Sequence, residues 1–512
     1  MVRTRRSVWS FEPGWSSELI WYARAVQVMR DNPLSDRTSW AFLAAMHGFD
    51  EGLWNVHGMP TTPLPPRDDR KLFWDQCQHL TWFFLPWHRG YLAAFEAILR
   101  DHIVRLKGPA DWSLPYWNYH GGEERATWLP PAFADETWPD GGPNPLKVSR
   151  WGANADDASG PTVDITRAEQ RTALRTPNFA SDDEQAGGAP GFGGPVTDFI
   201  QYGPAFGEAE RSPHGLVHTM IGGFVRDGSG RRVDGIMSDP ETAGYDPIFW
   251  LHHCNIDRLW SVWMRRNAAH LNPVDLRWTE GPLIRRFTMP AIDGSAYEFV
   301  AGAMVDSTVD ALGYDYDDVA DPLGGGSRLS ARLLRAGVGE LGDMALAQGP
   351  AERIGESGSL TLTGRRAAAT VAIDPIEGEA VASGIRSLRA GRLPKGTEPD
   401  RIFLNLEGIK SRRDSLEVDV YVNLPAGVAP EDHPEAYAGT LSFFGVRKAS
   451  LGNAEHGGNG VTQVLEITEL VDELVITSDR LARLEVELVA NDEIVGDEVV
   501  SIDRVSVYRQ RP

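Results

Sequence analysis

Cysteine is scarce: Cys77 and Cys254 are the only two in 512 residues. They could form at most one disulfide, so this is not a disulfide-stapled scaffold, and a chain of this length does not need one for stability. No run of about 20 apolar residues occurs, which removes a helix that crosses a bilayer. The opening MVRTRRSVWSFEPGW is basic but carries no apolar stretch before Glu12, Pro13 and Gly14. A secretory signal is therefore not expected, and a cytoplasmic or otherwise signal-free location is. Positive charge is in deficit, with 50 Lys and Arg against 72 Asp and Glu, a formal net charge of -22. Such a surface repels nucleic-acid phosphates and anionic lipid while admitting neutral small molecules, so neither nucleic acid nor membrane is an expected partner. Internal repeats and low-complexity tracts are also missing.

The hydrophobic fraction of 42% and charged fraction of 24% are those of ordinary globular chains, and the length allows roughly two to four folded units. Up to about residue 320 the chain is rich in Trp, His and Pro. Apolar residues near the helical period mark helices over Trp15 to Arg30, Ser39 to His47, Trp87 to Leu106, His214 to Ile221 and Pro247 to Arg266, separated by long loops such as Trp138 to Gly194. Between Asp321 and Ser359 the composition shifts to Gly, Ala and Ser, beginning DPLGGGSR. That reads as a protease-sensitive linker with a short helix near Leu329 to Leu334. Beyond it the period becomes two: Leu416, Val418, Val420, Val422 and Leu424 alternate with Glu417, Asp419, Tyr421 and Asn423, and similar runs surround Ile402, Val486 and Val505. The expected organisation is a mainly α domain over 1–320, a linker over 321–355 and an all-β antiparallel sandwich or barrel over 356–512.

Eleven of the 13 histidines precede residue 271; only His433 and His456 lie in the β region. In Ser212-Pro213-His214-Gly215-Leu216-Val217-His218, serine can cap a helix, proline suits its first turn, and the two histidines share one face at i and i+4. Such a pair alone is about as often a packed or surface pair as a metal site. A zinc protease is disfavoured, because Gly215 stands where the HExxH motif needs its glutamate. Asp246-Pro247 opens a helix through His252, His253, Cys254 and Asp257 to Trp260 that presents Phe249, His253 and Asp257 on one side. Upstream, Cys77-Gln78-His79 sits on a loop and His88 in the first turns of a helix begun near Pro86, with His47 near the end of the Ser39 helix. Neutral imidazole nitrogens suit copper in both its oxidation states, whereas magnesium or calcium would be held mainly by carboxylates.

The strings CQHLTWFFLPWHR, HGLVH and DPIFWLHHCNIDRLW resemble, in order, the copper-binding signatures of type-3 copper proteins: tyrosinases, catechol oxidases and haemocyanins. The resemblance covers roughly the first 320 residues. It implies a four-helix bundle around two copper ions, with His47, His79 and His88 on the first and His214, His218 and His253 on the second. His57 competes with His47, which has the better helical position, and His252 competes with His253, which stands seven residues past Asp246 as the family's aspartate-proline motif requires. The implied activity is oxidation of catechols and phenols to o-quinones with dioxygen. A haemocyanin-like oxygen carrier is the alternative, and a dizinc hydrolase a more distant one.

The same resemblance gives supporting residues their expected roles. Cys77 and His79 would form a thioether crosslink; a plainly packed thiol is the other reading, and the one taken for Cys254. Phe84 and Phe249, each four residues before a ligand, would stack on it. Asp257 would hydrogen-bond a ligand histidine or else an arginine. Glu210 would hold a water near the second copper or be an exposed surface acid. Gly215, where relatives efficient on monophenols often carry asparagine, favours catechol oxidation over monophenol hydroxylation. Leu312 to Tyr316 resembles the tyrosine motif that closes the family's catalytic domain, with Arg3, Arg5 or Arg6 as its partner. LEVDVYVN and RIFLNLEGI resemble the C-terminal domain of plant polyphenol oxidases, which implies an intramolecular cover that keeps the enzyme latent, with Tyr437, Phe443 or Phe444 plugging the pocket.

Overall fold

The computed structural model describes residues 2–511 except 12–13, 156–159, 182–187, 310, 324–348, 391, 393–399, 453–457, 479 and 497. The helix expected near Leu329 to Leu334, and most of the linker around it, lie outside the described residues. Five helices carry the N-terminal part: α1 (Ser17–Asp31), α2 (Trp40–His47), α3 (Phe84–Arg105), α4 (Leu216–Gly222) and α5 (Pro247–Arg266). Their starts follow local chemistry. Ser16, Ser39 and Asp246 accept from the backbone N–H groups of Leu19, Phe42 and Ile248, satisfying donors that a first helical turn leaves orphaned. α3 begins at Phe84, two residues before the proline expected to open it, because Pro86 still falls in the turn whose N–H groups have no partner. Ser212 departs from expectation: it is extended (φ -145°, ψ 126°) and its hydroxyl donates to Glu169 O at 2.7 Å, so it caps nothing, and regular helix begins only at Leu216. Among the described residues no helix is long and apolar enough to cross a membrane.

The C-terminal part is built on an antiparallel sheet of eight strands, beside a two-stranded pair of Leu360–Leu362 with Val500–Ile502. The eight are β1 (Ala351–Glu356), β2 (Gly364–Ile373), β3 (Arg401–Ile409), β4 (Glu417–Val422), β5 (Tyr437–Ser442), β6 (Val461–Glu466), β7 (Arg483–Ile494) and β8 (Arg504–Gln510). Their spatial order is β5-β4-β7-β2-β1-β8-β3-β6. The sheet nearly closes on itself, since Gln463 of β6 donates its amide N–H to Ser442 O of β5 at 2.6 Å and accepts from Ser442 N at 3.1 Å. β1 begins at Ala351, inside the stretch whose composition reads as linker. Two helices, α6 (Pro375–Arg389) and α7 (Thr468–Ser478), pack on the sheet.

β4 shows where alternation misleads. Glu417 and Asp419 are the polar members of the alternation, yet all six residues of the strand are buried. The catalytic half covers that face: Thr219 donates to Glu417 Oε1 at 3.1 Å, and Arg167 meets Asp419 at 2.5 Å. The carboxylates are buried because they are paired across a domain interface.

Candidate metal centre

Six histidines expected from four separate stretches of sequence meet in one buried place, each at most 3% exposed. His47 is the last residue of α2, His88 lies in the second turn of α3, His218 is on α4 and His253 on α5; His79 and His214 stand on irregular backbone just before helices. Within the first trio the ring centroids are 5.0 to 5.7 Å apart. Within the second they are 4.6 to 5.4 Å apart. The trios touch where His88 and His253 stack at 4.5 Å, which brings α3 and α5 together at the centre.

The side-chain chemistry fits a pair of copper ions. Nδ1 of His47, His88, His214 and His218 lies 2.8 to 3.2 Å from the carbonyls of Pro240, Phe84, Glu210 and Met237. A carbonyl can only accept, so Nδ1 carries the proton and Nε2 keeps a free lone pair pointing inward. Nε2 of His47 and of His214 has no hydrogen-bond partner, and Nε2 of His218 and His253 face each other at 3.2 Å. Burial holds every one of the six imidazoles below its ordinary range, His47 at about 4, so all are neutral and ready to ligate. Unpaired buried lone pairs of this kind are costly unless a cation takes them.

His252 adds a fourth imidazole at the second trio, with ligand-capable atoms of all four within 4.8 Å of one another. Its ring stacks on His214 at 5.5 Å and lies 5.8 Å from Tyr119. His57 stands elsewhere, against Trp151 at 5.7 Å. Cys77 Sγ is 3.6 Å from His79 Nδ1, 3.9 Å from its Nε2 and 3.6 Å from His88 Nε2, so thiol and imidazole are neighbours within the cluster. Cys254 is buried core beside Leu114 O.

Phe84 and Phe249 brace both trios at once. Phe84 lies 4.6 Å from His88 and 4.7 Å from His214, and Phe249 lies 4.1 Å from His253 and 4.8 Å from His47. Asp257 meets arginine, not histidine: Arg89 Nε at 2.5 Å and Arg5 Nη1 at 3.3 Å, with Tyr314 and Tyr316 hydroxyls donating at 2.6 and 2.5 Å. Burial pushes its carboxyl up, but the two guanidinium groups outweigh that and hold it below the usual range. The ligand rings take their hydrogen bonds from backbone carbonyls instead, which leaves Asp257 free to neutralise Arg89, next in sequence to His88. Arg5 reaches this cluster because Arg3–Arg5 pairs in parallel with Tyr314–Tyr316, and its guanidinium lies 3.5 Å over the Tyr314 ring.

The structure narrows the readings of Glu210, Gly215 and the plug. Glu210 is buried, not exposed, and both its carboxylate oxygens accept from Leu80 N, at 2.9 and 2.8 Å. Gly215 is a point of close approach by the β domain: a Cβ there would stand 2.3 Å from Ser442 Oγ. Of the three candidate plugs, Tyr437 bonds Thr440 at 2.6 Å and Phe443 sits in the β domain's own core. Phe444 is the one at the centre, its ring stacked on His218 at 3.9 Å and 16° and lying 5.5 Å from His214. Sequence reasoning missed Tyr202, which stacks on His79 at 5.3 Å and 15°. It lies in irregular backbone without periodicity, so no local signal marks it.

A helical core holding two histidine trios, under a β domain that inserts an aromatic ring, is the architecture of a type-3 dicopper oxidase. Residues 37–266 match a family model described as the common central domain of tyrosinase, and residues 350–510 match one described as a domain of unknown function. Tyrosinase HcTyr1 of Hahella sp. (strain CCB-MM4) is 30% identical over 99% of this chain and 100% of its own. A chloroplastic polyphenol oxidase of Malus domestica is 25% identical over 79% of this chain and 63% of its own. The structure of latent apple tyrosinase shares the fold, with a TM-score of 0.61 at 22% identity over 99% of this chain and 97% of the other. The chain belongs to the tyrosinase and polyphenol oxidase family: a copper phenol oxidase whose cofactor is a pair of copper ions.

Proposed function

We propose that the protein oxidises catechols to o-quinones with dioxygen, acts more weakly on monophenols, and is held latent by its own C-terminal domain. Residues 1–320 form the catalytic domain, and the linker ends by 350, since the cover begins with β1 at Ala351. His47, His79 and His88 hold the first copper and His214, His218 and His253 the second, with His252 behind them, while the neighbouring Cys77 and His79 form a thioether that fixes a ligand on a loop. Bound copper supplies two one-electron centres that together pass two electrons to dioxygen. The protein's part is to keep six imidazoles neutral and aimed, to exclude water with Phe84 and Phe249, and to offer an aromatic ring a flat surface. The observation that carries this reading is Phe444, whose phenyl lies flat on His218 where a phenolic ring would stack. An aromatic side chain occupying an aromatic substrate's place is competitive inhibition within one chain.

Oxygen uptake by copper-loaded full-length protein and its Phe444→Ala variant, with catechol and with tyrosine, tests it. Loss of about 1.4 kcal/mol of docking is tenfold in accessible sites, so the variant should oxidise catechol at least roughly tenfold faster, and tyrosine more slowly than catechol. Reversible oxygen binding with no quinone from either protein would instead identify a carrier.

A further inference from the structure

We propose that Glu210 is a positioning residue: its carboxylate clamps the backbone that follows His79, fixing the ligand that no helix holds. The proposal rests on the reading of the six histidines as the dicopper site. Leu80, directly after His79, has φ +62°, a left-handed conformation that a side chain as bulky as leucine rarely adopts unless its surroundings impose it. Backbone bonds hold the His79 side of that peptide, with His79 N donating to Gln201 O at 3.0 Å and Gly203 N to His79 O at 2.9 Å, and two further restraints act on Leu80. The Leu80 side chain is buried in the apolar cluster of the β domain, so it cannot swing outward. Its N–H is shared by both oxygens of Glu210, at 2.9 and 2.8 Å.

The clamp spans the two halves of the centre. Glu210 is 1% exposed and forms no ion pair among the described residues, and the protein donor its carboxylate meets is this N–H. Its own carbonyl accepts from His214 Nδ1 at 3.2 Å. One residue thus orients a loop histidine of the first trio through its side chain and a histidine of the second trio through its backbone. The other first-trio rings have carbonyl partners for Nδ1, at Pro240 and Phe84, whereas His79 Nδ1 faces the Cys77 sulfur. Before the thioether to Cys77 forms, the orientation of His79 therefore depends more on its backbone than that of His47 or His88 does.

What the clamp requires is an acceptor, not a charge, and full-length Glu210→Gln and Glu210→Leu separate the two. Metal-free protein is titrated with copper against a competing chelator, with stoichiometry read by metal analysis. Amide hydrogen exchange at Leu80 is measured on the metal-free protein. Glu210→Leu should bind one of its two coppers roughly 10 to 100-fold more weakly, the loss usual when a ligand's orienting partner is removed, and its Leu80 amide should exchange faster. Glu210→Gln, which keeps an acceptor oxygen, should hold both coppers within about threefold of wild type, well short of that roughly 10 to 100-fold loss. Equal weakening in both variants, or two tight coppers and unchanged Leu80 exchange in Glu210→Leu, would overturn the clamp. If Glu210→Leu does not fold, Glu210→Ser, too short to reach Leu80, carries the same expectation. A wild-type chain that loads no copper would overturn the dicopper reading, and the Leu80 exchange comparison would still decide the clamp.

Discussion

At the scale of single residues, the centre depends on charges that the sequence places far apart and the fold cancels. Arg5, Arg89, Glu96 and Asp257 are all nearly inaccessible and mutually paired. Removing the charge of one partner in such a cluster leaves the others buried without compensation, which is far costlier than losing a surface pair. Asp257→Asn should lower unfolding stability by about 3–5 kcal/mol, read as a shift in the urea midpoint. The histidines impose a pH dependence on the metal-free protein. Their folded values lie below the ordinary 6.5, His47 at about 4, so protons bind the unfolded chain more tightly than the folded one. Stability from this source is complete above about pH 6.5 and is lost as pH falls toward 4. Thermal unfolding of metal-free protein between pH 7 and 4 should therefore show a falling midpoint, and an unchanged midpoint would contradict six buried neutral imidazoles.

At the scale of elements, helices were legible and the pieces between them were not. α2 and α5 end or begin at the residues their caps and periodicity indicate, because those signals are local: a serine or aspartate oxygen and a handful of N–H groups. The Ser212 turn was misread because its hydroxyl is taken by Glu169, 43 residues away, a partner no local pattern reveals. Alternation locates β4, but it cannot report that a second domain covers the strand's polar face. Gly215 belongs to the same interface. A Cβ at 215 would meet Ser442 Oγ at 2.3 Å and Ser442 Cβ at 3.1 Å; the hydroxyl could rotate aside, but the carbon could not. Gly215→Ala should therefore loosen the cover and raise catechol oxidation by the full-length chain. Adding Ser442→Gly should restore low activity, and failure of that second change to compensate would separate Gly215 from the cover.

At the scale of the whole molecule, the interface has two kinds of glue. Arg447 meets Asp239 at 2.7 Å, Lys448 meets Glu241 at 2.9 Å, and Arg232 meets Asp492 at 2.6 Å. Asp239 and Glu241 flank Pro240, whose carbonyl orients His47, so the cover braces the first trio as well as shading the second. The other glue is apolar: Leu80, Tyr202 and Phe206 of the catalytic half belong to the β domain's buried cluster. Salt screens exposed ion pairs but neither buried pairs nor apolar contacts. Cutting the linker alone should leave the two halves eluting together on gel filtration at both about 0.1 M and about 1 M salt, separating only in denaturant. Separation at high salt would assign the docking to the ion pairs.

The sequence by itself determined the change from helical to alternating pattern and most helices with their caps, because each rests on short-range rules, hydrophobic period and capping oxygens, while the six histidines came from resemblance to a family's motifs. Only the tertiary structure decided what Glu210, Gly215, Asp257 and Phe444 touch. Those contacts join residues tens to hundreds of positions apart, those of Gly215 and Phe444 across a domain boundary, and such pairing is fixed by how finished elements stack, which no local pattern encodes.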